Sequence, residues 1–321
     1  MSVIGRGRRR LAQVMKWQLS WAVSANERAR MWVLKQPWFT GVLLPALPRQ
    51  LRWFLRRAYA APVDLADRLL GRRQDDLPPK AGTFTGVVED FAESGDALLE
   101  ALGEVAGVTP SSHILDVGCG LGRLARPVAR FLDPTGRYEG LDIVPEGIEW
   151  SKKHIVSSYD NVHFTLADVY NKEYNPKGRV QPAEYRFPYE DETFDAVVLV
   201  SVFTHMMPAD VDRYVSEIAR VLKKNGRVFA TTYLLNPESI RLMNSPGSEW
   251  RFKHELGPHW VTSLKVPELS VGYDEPYLRE LYAKHGFSEE LEVYQGNWCG
   301  RAGHWQQSGL DDQDTIVATK L

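Results

Sequence analysis

Twelve residues, His113-Ile-Leu-Asp-Val-Gly-Cys-Gly-Leu-Gly-Arg-Leu124, constrain the fold more than any other stretch of the chain. Ile114, Leu115 and Val117 are strand formers. Gly118, Gly120 and Gly122 permit the backbone angles and close approach that a ligand-cradling turn needs. Leu121–Phe131 then carries apolar residues at helical spacing, Leu124, Val128 and Phe131. Strand, glycine turn and helix in that order predict a nucleotide-like ligand at the turn. The dinucleotide fingerprint fails literally, because Arg123 stands where its third glycine belongs. Asp116, at the end of the strand, would repel a pyrophosphate and suits a ligand that bears a cation.

Downstream segments extend the pattern. Tyr138–Ile143 reads as a second strand with Asp142 near its end, about 20 residues past the glycine turn, the spacing at which an acid reaches ribose hydroxyls in doubly wound sheets. Val162–Asp168 reads as a third strand ending in an acid. Phe194–Ser201 is almost wholly apolar, as a central parallel strand buried on both faces must be. A helix over Ala209–Leu222 is expected to close at Lys223-Lys-Asn-Gly226, before a fifth strand, Arg227–Tyr233.

From about Ser111 onward the chain resembles the class I S-adenosylmethionine-dependent methyltransferases. The resemblance rests on five motifs in order: Leu-Asp-Val-Gly-Cys-Gly at 115–120, Asp142, Ala-Asp at 167–168, Phe-Pro-Tyr-Glu-Asp-Glu-Thr-Phe-Asp at 187–195, and Arg-Val-Leu-Lys-Lys-Asn-Gly at 220–226. It implies an α/β fold, a doubly wound Rossmann-like seven-stranded sheet with an antiparallel final strand. Glu290–Gln295 and Asp314–Lys320 would be that final pair. It also implies S-adenosyl-L-methionine as cofactor. Asp116, Gly118 and Gly120 would face its methionine part, Asp142 its ribose hydroxyls, and Asp168 its adenine amino group. Ser201 would line the methionine side, with Ile143 and Val169 beside the acids. The bland reading of each acid is a helix cap or a solvated loop end.

Methyl transfer asks the protein for alignment and, where the acceptor is a hydroxyl, for a base. His205, just beyond the fourth strand, is the catalytic candidate, an imidazole where open α/β sheets present reactive groups. The other reading makes it a helix cap or part of the pocket floor.

A single domain of this class takes about 200–250 residues, so a chain of 321 residues carries an extension, and the expected division falls at 80/81. Residues 1–80 hold 16 Lys and Arg against 5 Asp and Glu, a net +11, whereas residues 81–321 carry 23 against 36, a net −13. Five of the ten tryptophans, Trp17, Trp21, Trp32, Trp38 and Trp53, lie in the basic part. Between Leu47 and Tyr59, apolar Leu51, Phe54, Leu55 and Ala58 recur at helical spacing beside Arg49, Arg52 and Arg56. That pattern fits an amphipathic helix lying on an anionic membrane surface, with residues 1–60 as the contact. The second reading is a helical appendage whose apolar stripe packs on the acidic domain. No spanning helix is expected, since Trp38–Leu47 is short and broken by Pro45. No nucleic-acid-reading motif occurs. Asp75–Gly86 reads as a linker entering a segment that covers the cofactor.

Two long insertions, 169–186 and 234–274, together with the connector 296–305, would define the acceptor; they hold Trp250, His254, His259, Trp260, Tyr273, Trp298, Arg301, His304 and Trp305. Cys119 and Cys299 have no metal-binding spacing, so no metal is expected; two lone thiols fit a reducing cytoplasm. The expectation is a cytoplasmic transferase, peripheral on the inner membrane face, that methylates oxygen on a glycolipid, lipid-linked saccharide or other amphiphilic small molecule. The rivals are a soluble small-molecule O- or N-methyltransferase and a cofactor-binding regulatory subunit without turnover.

Overall fold

A computed structural model of the chain describes residues 47, 49–71, 77–80, 91–172, 174–245, 251–305 and 310–321. Two compact units divide it, residues 1–88 and 89–321.

The described part of the first unit is chiefly a helix, α1, Arg49–Leu69, longer than the 47–59 pattern predicts and continuous through Pro62. Leu51, Phe54, Leu55, Leu65 and Leu69 all lie exposed on it, Phe54 at 65% and Leu65 at 57%. At about 100° per residue these five fall within one stripe some 27 Å long. Ala60, Val63 and Ala66 are its buried positions. Lys80, the last described residue of the unit, is tied to α1, its amide donating to Asp64 at 2.8 Å and its ammonium pairing with Asp67 at 3.4 Å. Trp17, Trp21, Trp32, Trp38 and most of the expected linker Asp75–Gly86 lie outside the described residues.

The second unit opens with α2, Phe91–Ala106, and then alternates strand and helix: β1 His113–Val117, α3 Ala125–Phe131, β2 Arg137–Asp142, α4 Pro145–His154, β3 Val162–Leu166, β4 Phe194–Leu199, α5 Pro208–Val221 and β5 Leu222–Thr232. Next come β6 Leu234–Leu235, α6 Pro237–Met243, β7 His254–Glu255, β8 His259–Val261, β9 Val271–Asp274 and α7 Glu275–Lys284. β10 Glu292–Tyr294 and β11 Asp314–Thr319 end the chain. The main sheet has seven strands in the order β10-β11-β5-β4-β1-β2-β3. Its β5-β4-β1-β2-β3 part is parallel, and β11 runs antiparallel between β5 and β10. This is the doubly wound architecture with a reversed final strand that the sequence predicts.

Alternation along the strands explains the two layers. Leu115, Val117, Val197, Leu199, Val228 and Ala230 face one core, where α5 and α7 bring Val215, Ile218, Leu278 and Tyr282. Ile114, Ala196, Val198 and Phe229 face the other, where α2, α3 and α4 bring Leu98, Leu102, Val128 and Ile148. Both faces of the central strands are therefore buried, the condition that made β4 read as a continuous apolar run.

Two boundaries differ from expectation. The helix after the glycine turn starts at Ala125 rather than Leu121, because positive φ at Gly118, Gly120 and Gly122 holds the chain in turns before a helix can begin. Lys223–Gly226 is not a helix stop either. The chain turns extended at Leu222, which pairs with Phe194, and Asn225 takes the left-handed angle, φ 64°.

The insertion 234–274 contributes a second sheet, β6-β9-β8-β7, whose strands of two to four residues give no readable periodicity. Its core of Tyr233, Leu235, Met243 and Phe252 includes Trp298 and Cys299 from the β10–β11 connector. Asp314, fully buried, joins the pieces: its carboxylate accepts from the amides of Leu234 and Gly296 and from the Trp298 indole, each at 2.8 Å, and pairs with Arg301.

An ion-pair network around the buried Glu217 fastens the strap ahead of β4. Glu217 of α5 accepts from the Phe187 amide at 2.9 Å and pairs with Arg213 and Arg220, at 3.2 and 2.6 Å. Arg220 also donates to the carbonyls of Phe187 and Tyr189 and to Asp191. Removing one member of a buried pair leaves the rest uncompensated. Glu217→Ala is expected to cost about 3 kcal/mol in denaturant unfolding, and a loss near zero would show that the strap is held by packing alone.

Candidate functional site

Two of the three predicted cofactor acids, Asp116 and Asp142, meet at the C-terminal ends of β1 and β2. β1 and β2 pair in parallel with Asp116 opposite Gly140. The turn that follows is pinned to β2, since the amides of Gly118 and Cys119 both donate to the Leu141 carbonyl. Gly118 has φ 83°, and a Cβ there would stand 2.5 Å from Val202 Cγ2. Any larger residue would collide with the segment that leaves β4. Gly120 has φ 57°, and its amide donates to Asp142 Oδ2 at 2.7 Å.

Asp142 is buried and receives a second amide, that of Val144, on Oδ1 at 2.8 Å. Each carboxylate oxygen so held keeps a further lone pair for a hydroxyl. Desolvation still pushes its pKa up, against the amides of Val144, Gly120 and Ile143. Asp116 is less well served. Among the described residues its hydrogen-bond donor is the Tyr138 hydroxyl, at 2.6 Å. Burial raises its pKa from 3.8 to about 7, with Tyr138 and Arg123 opposing that shift. Tyr138 reaches it along β2, a contact that sequence reasoning missed and that its place two residues before Gly140 could have suggested.

Asp168, which follows β3, is engaged by the first insertion. Arg179 pairs with its carboxylate through Nε, and the Arg179 amide donates to it at 3.2 Å; these bonds hold its pKa below the usual range. Val169 turns its side chain into the core, and its carbonyl accepts from Asn175 at 3.0 Å. Ile143 lies half-buried against the same core.

Ser201, two residues beyond the end of β4, adopts φ 60°, a left-handed angle uncommon outside glycine. Its amide donates to Thr231 Oγ1 at 2.8 Å, and its hydroxyl donates to Gln313 Oε1 at 3.2 Å. His205 ends a one-turn helix, Phe203–His205. With Nδ1 as donor to the Glu268 carbonyl at 3.0 Å, the neutral ring carries its lone pair on Nε2. Tyr174, from the first insertion, meets the ring edge-on at 5.7 Å between centroids. The structure thus brings Asp116, Gly118, Gly120 and Asp142 into one cluster, with Asp168 beside it. Ser201 and His205 belong to the neighbouring β4 end.

The geometry suits a cofactor with a cationic amino-acid end and a ribose: glycines that admit no Cβ, one acid with two amide-held oxygens, and one under-satisfied buried acid. Residues 115–230 match the family model described as a methyltransferase domain. This segment is a class I S-adenosylmethionine-dependent methyltransferase domain, and its cofactor is S-adenosyl-L-methionine. Among curated relatives, methyltransferase GfsG of Streptomyces halstedii is 30% identical over 44% of this chain and 45% of its own. Sterol 24-C-methyltransferase of Eremothecium gossypii is 32% identical over 64% of this chain and 47% of its own. The chain spans less than half the length of these two relatives. The PH0226 protein of Pyrococcus horikoshii is similar in structure, at TM-score 0.49 and 16% identity over 74% of this chain and 94% of that one.

Because the native state holds a proton on Asp116 up to about pH 7 and the unfolded chain releases it near 3.8, native Asp116 binds more protons between those values. Its contribution to stability therefore falls as pH rises through that window. A cation placed beside it would expel the proton. Calorimetry in buffers of different ionisation enthalpy at pH 6.5 should detect proton release on S-adenosylmethionine binding, and Asp116→Asn should abolish that release; the same release in the variant would move its source to another group.

Proposed function

We propose that the chain is an S-adenosylmethionine-dependent methyltransferase that methylates a hydroxyl of an amphiphilic small molecule, such as a glycolipid or lipid-linked saccharide, reached at a membrane surface. The observation that carries the transferase reading is the joined cluster of Asp116, Gly118, Gly120 and Asp142 within a matched methyltransferase segment. When bound, the cofactor supplies an activated methyl group with a good leaving group, which leaves alignment and proton removal to the chain.

His205 is the proposed base. Its tautomer is set by Glu268, and its ring is braced by Tyr174, so the Nε2 lone pair is held in one orientation. Asp142 holds the ribose and Asp116 the cationic end. Asp168 would take the adenine amino group on an oxygen lone pair that Arg179 does not use.

Two features support an amphiphilic acceptor. Leu256, Leu264 and Leu269 are exposed on the small sheet and on the loop that orients His205 through Glu268. The α1 stripe is exposed on a unit whose sequence is strongly basic, the composition of a helix that lies in an anionic interface. No helix among the described residues is long and apolar enough to cross a membrane. A cytoplasmic enzyme bound to the inner membrane face agrees with these features.

His205→Ala should lower kcat by about 10²-fold with S-adenosylmethionine affinity unchanged, as read by label transfer into a lipid extract; an unchanged kcat would remove His205 from the chemistry. The full chain should sediment with phosphatidylglycerol vesicles and much less with phosphatidylcholine vesicles. Phe54→Glu combined with Leu65→Glu should cut that sedimentation at least tenfold. Equal sedimentation of variant and wild type would refute the interfacial role of α1 while leaving the transferase reading intact.

A further inference from the structure

His205 stands between two insertions of opposite character. Tyr174 of the first meets its ring edge-on, and the Glu268 carbonyl of the second accepts from its Nδ1. A hydroxyl delivered to Nε2 therefore arrives beside both.

The first insertion is basic on a domain that is not. Residues 169–186 hold Lys172, Lys177, Arg179 and Arg186 against Glu173 and Glu184, a net +2, whereas residues 81–321 as a whole carry −13. Two of these cations are paired: Arg179 with Asp168, and Arg186 with Asp191 at 4.0 Å. Lys172 and Lys177 are exposed, and among the described residues neither has a carboxylate partner.

The loop that carries them is held in shape. Asn171 and Asn175 exchange both backbone hydrogen bonds, at 3.1 and 2.9 Å, which sets their Cα atoms about 5.5 Å apart. The Asn171 side chain accepts from the Tyr174 amide at 2.9 Å, and the Asn175 side chain donates to the Val169 carbonyl at 3.0 Å. The Gly178 amide closes a second turn on the Asn175 carbonyl at 3.1 Å. A Cβ on Gly178 would stand 2.3 Å from the Val169 carbonyl, so this turn lies directly on the backbone that leaves β3. Lys172 and Lys177 each fall within two residues of the Asn171–Asn175 pair, and Tyr174 lies between them in sequence. Two ammonium groups, each on a four-carbon stem, are thereby in reach of a single oxyanion.

The second insertion offers the reverse. From Thr262 to Ser270 it has one cation and one acid, Lys265 and Glu268, and it exposes Leu264 at 58% and Leu269 at 37%. Leu269 follows the residue whose carbonyl holds His205. A hydrocarbon chain gains by covering such a surface, and an anion loses.

We propose that the methyl acceptor carries a phosphate group, held by Lys172 and Lys177, and a hydrocarbon part, held by Leu264 and Leu269, with the reacting hydroxyl between them at His205. The inference rests on the methyltransferase reading above, with His205 as its base. It narrows the acceptor from an amphiphile to an anionic one, bound in a single orientation. A phosphate monoester presents about 1.5–2 negative charges and three acceptor oxygens near neutral pH, enough for both lysines, whereas a carboxylate presents a single charge.

The test uses the full chain saturated with S-adenosylhomocysteine, the cofactor after transfer, so that no turnover occurs. Three probes are titrated as monomers by calorimetry: lauroylglycerol phosphate, lauroylglycerol and glycerol phosphate. The first should bind about tenfold more tightly than either of the others. Lys172→Gln combined with Lys177→Gln should remove its advantage over lauroylglycerol, and the corresponding pair of Lys→Arg changes should keep it. Leu264→Ser combined with Leu269→Ser should remove its advantage over glycerol phosphate. Phe54→Glu combined with Leu65→Glu on α1 should leave its Kd within twofold of wild type. Equal affinity for the phosphorylated and plain lauroyl probes, or an advantage that survives the loss of both lysines, would overturn the proposal and leave the transferase reading standing. An advantage lost in the α1 variant instead would overturn it by moving the anion to the first unit. A wild-type chain that binds neither S-adenosylmethionine nor S-adenosylhomocysteine would overturn the methyltransferase reading and this proposal with it.

Discussion

Two buried carboxylates at the ends of β1 and β2 set the terms for everything around them. A carboxylate removed from water must find donors or take up a proton. Asp142 finds two backbone amides, those of Gly120 and Val144, and one of them exists in that place only because the turn runs through left-handed glycines. Asp116 is served by a phenol and stays poised near neutrality. The glycine turn, the placement of Tyr138 and the break before α3 are thus one solution to one electrostatic problem. A cationic ligand completes it, because it adds positive charge to what the Tyr138 phenol and the Arg123 guanidinium already offer Asp116.

The other end of the site is governed by Asp314. By accepting from Leu234, Gly296 and Trp298 and pairing with Arg301, it fixes the start of β11, the small sheet and the connector as one body. Gln313 immediately precedes it, so its reach to Ser201 and Thr231 follows from where Asp314 is anchored. The hydrogen bonding at the ends of β4 and β5 is in this sense a consequence of a single buried charge some ten or more residues from the indole and guanidinium that hold it.

What the sequence made legible was what depends on local order. Strand, glycine turn and acid come in chain order, and the alternation of β1, β4 and β5 is strong enough to place them with both faces buried. Asp116 and Asp142 could be paired in advance because a fixed crossover length separates them. The helix start was misplaced because Leu121 and Leu124 keep helical spacing while the glycines between and beside them do not permit helix. The stop at Lys223–Gly226 was misplaced because a basic, glycine-ended tetrapeptide suits a helix end and also an extended bend at Asn225. Gln313 and Thr231 were not legible at all. They lie 112 and 30 residues from Ser201, and nothing local to any of them encodes the meeting; the small sheet escaped for the same reason, its strands being shorter than one period of any pattern.

The ends of the parallel strands and the two insertions share one logic. Open α/β sheets collect polar groups at the C-terminal ends of their strands, and each such group must be paired by something that the strands do not contain. Here Asp168 is paired by Arg179 of the first insertion and Ser201 by Gln313 of the connector, while His205 takes its orientation from Glu268 of the second insertion. The sheet therefore fixes where chemistry can occur, and the connections, by choosing which strand-end atoms they occupy and which lone pairs they leave, fix what the site can accept.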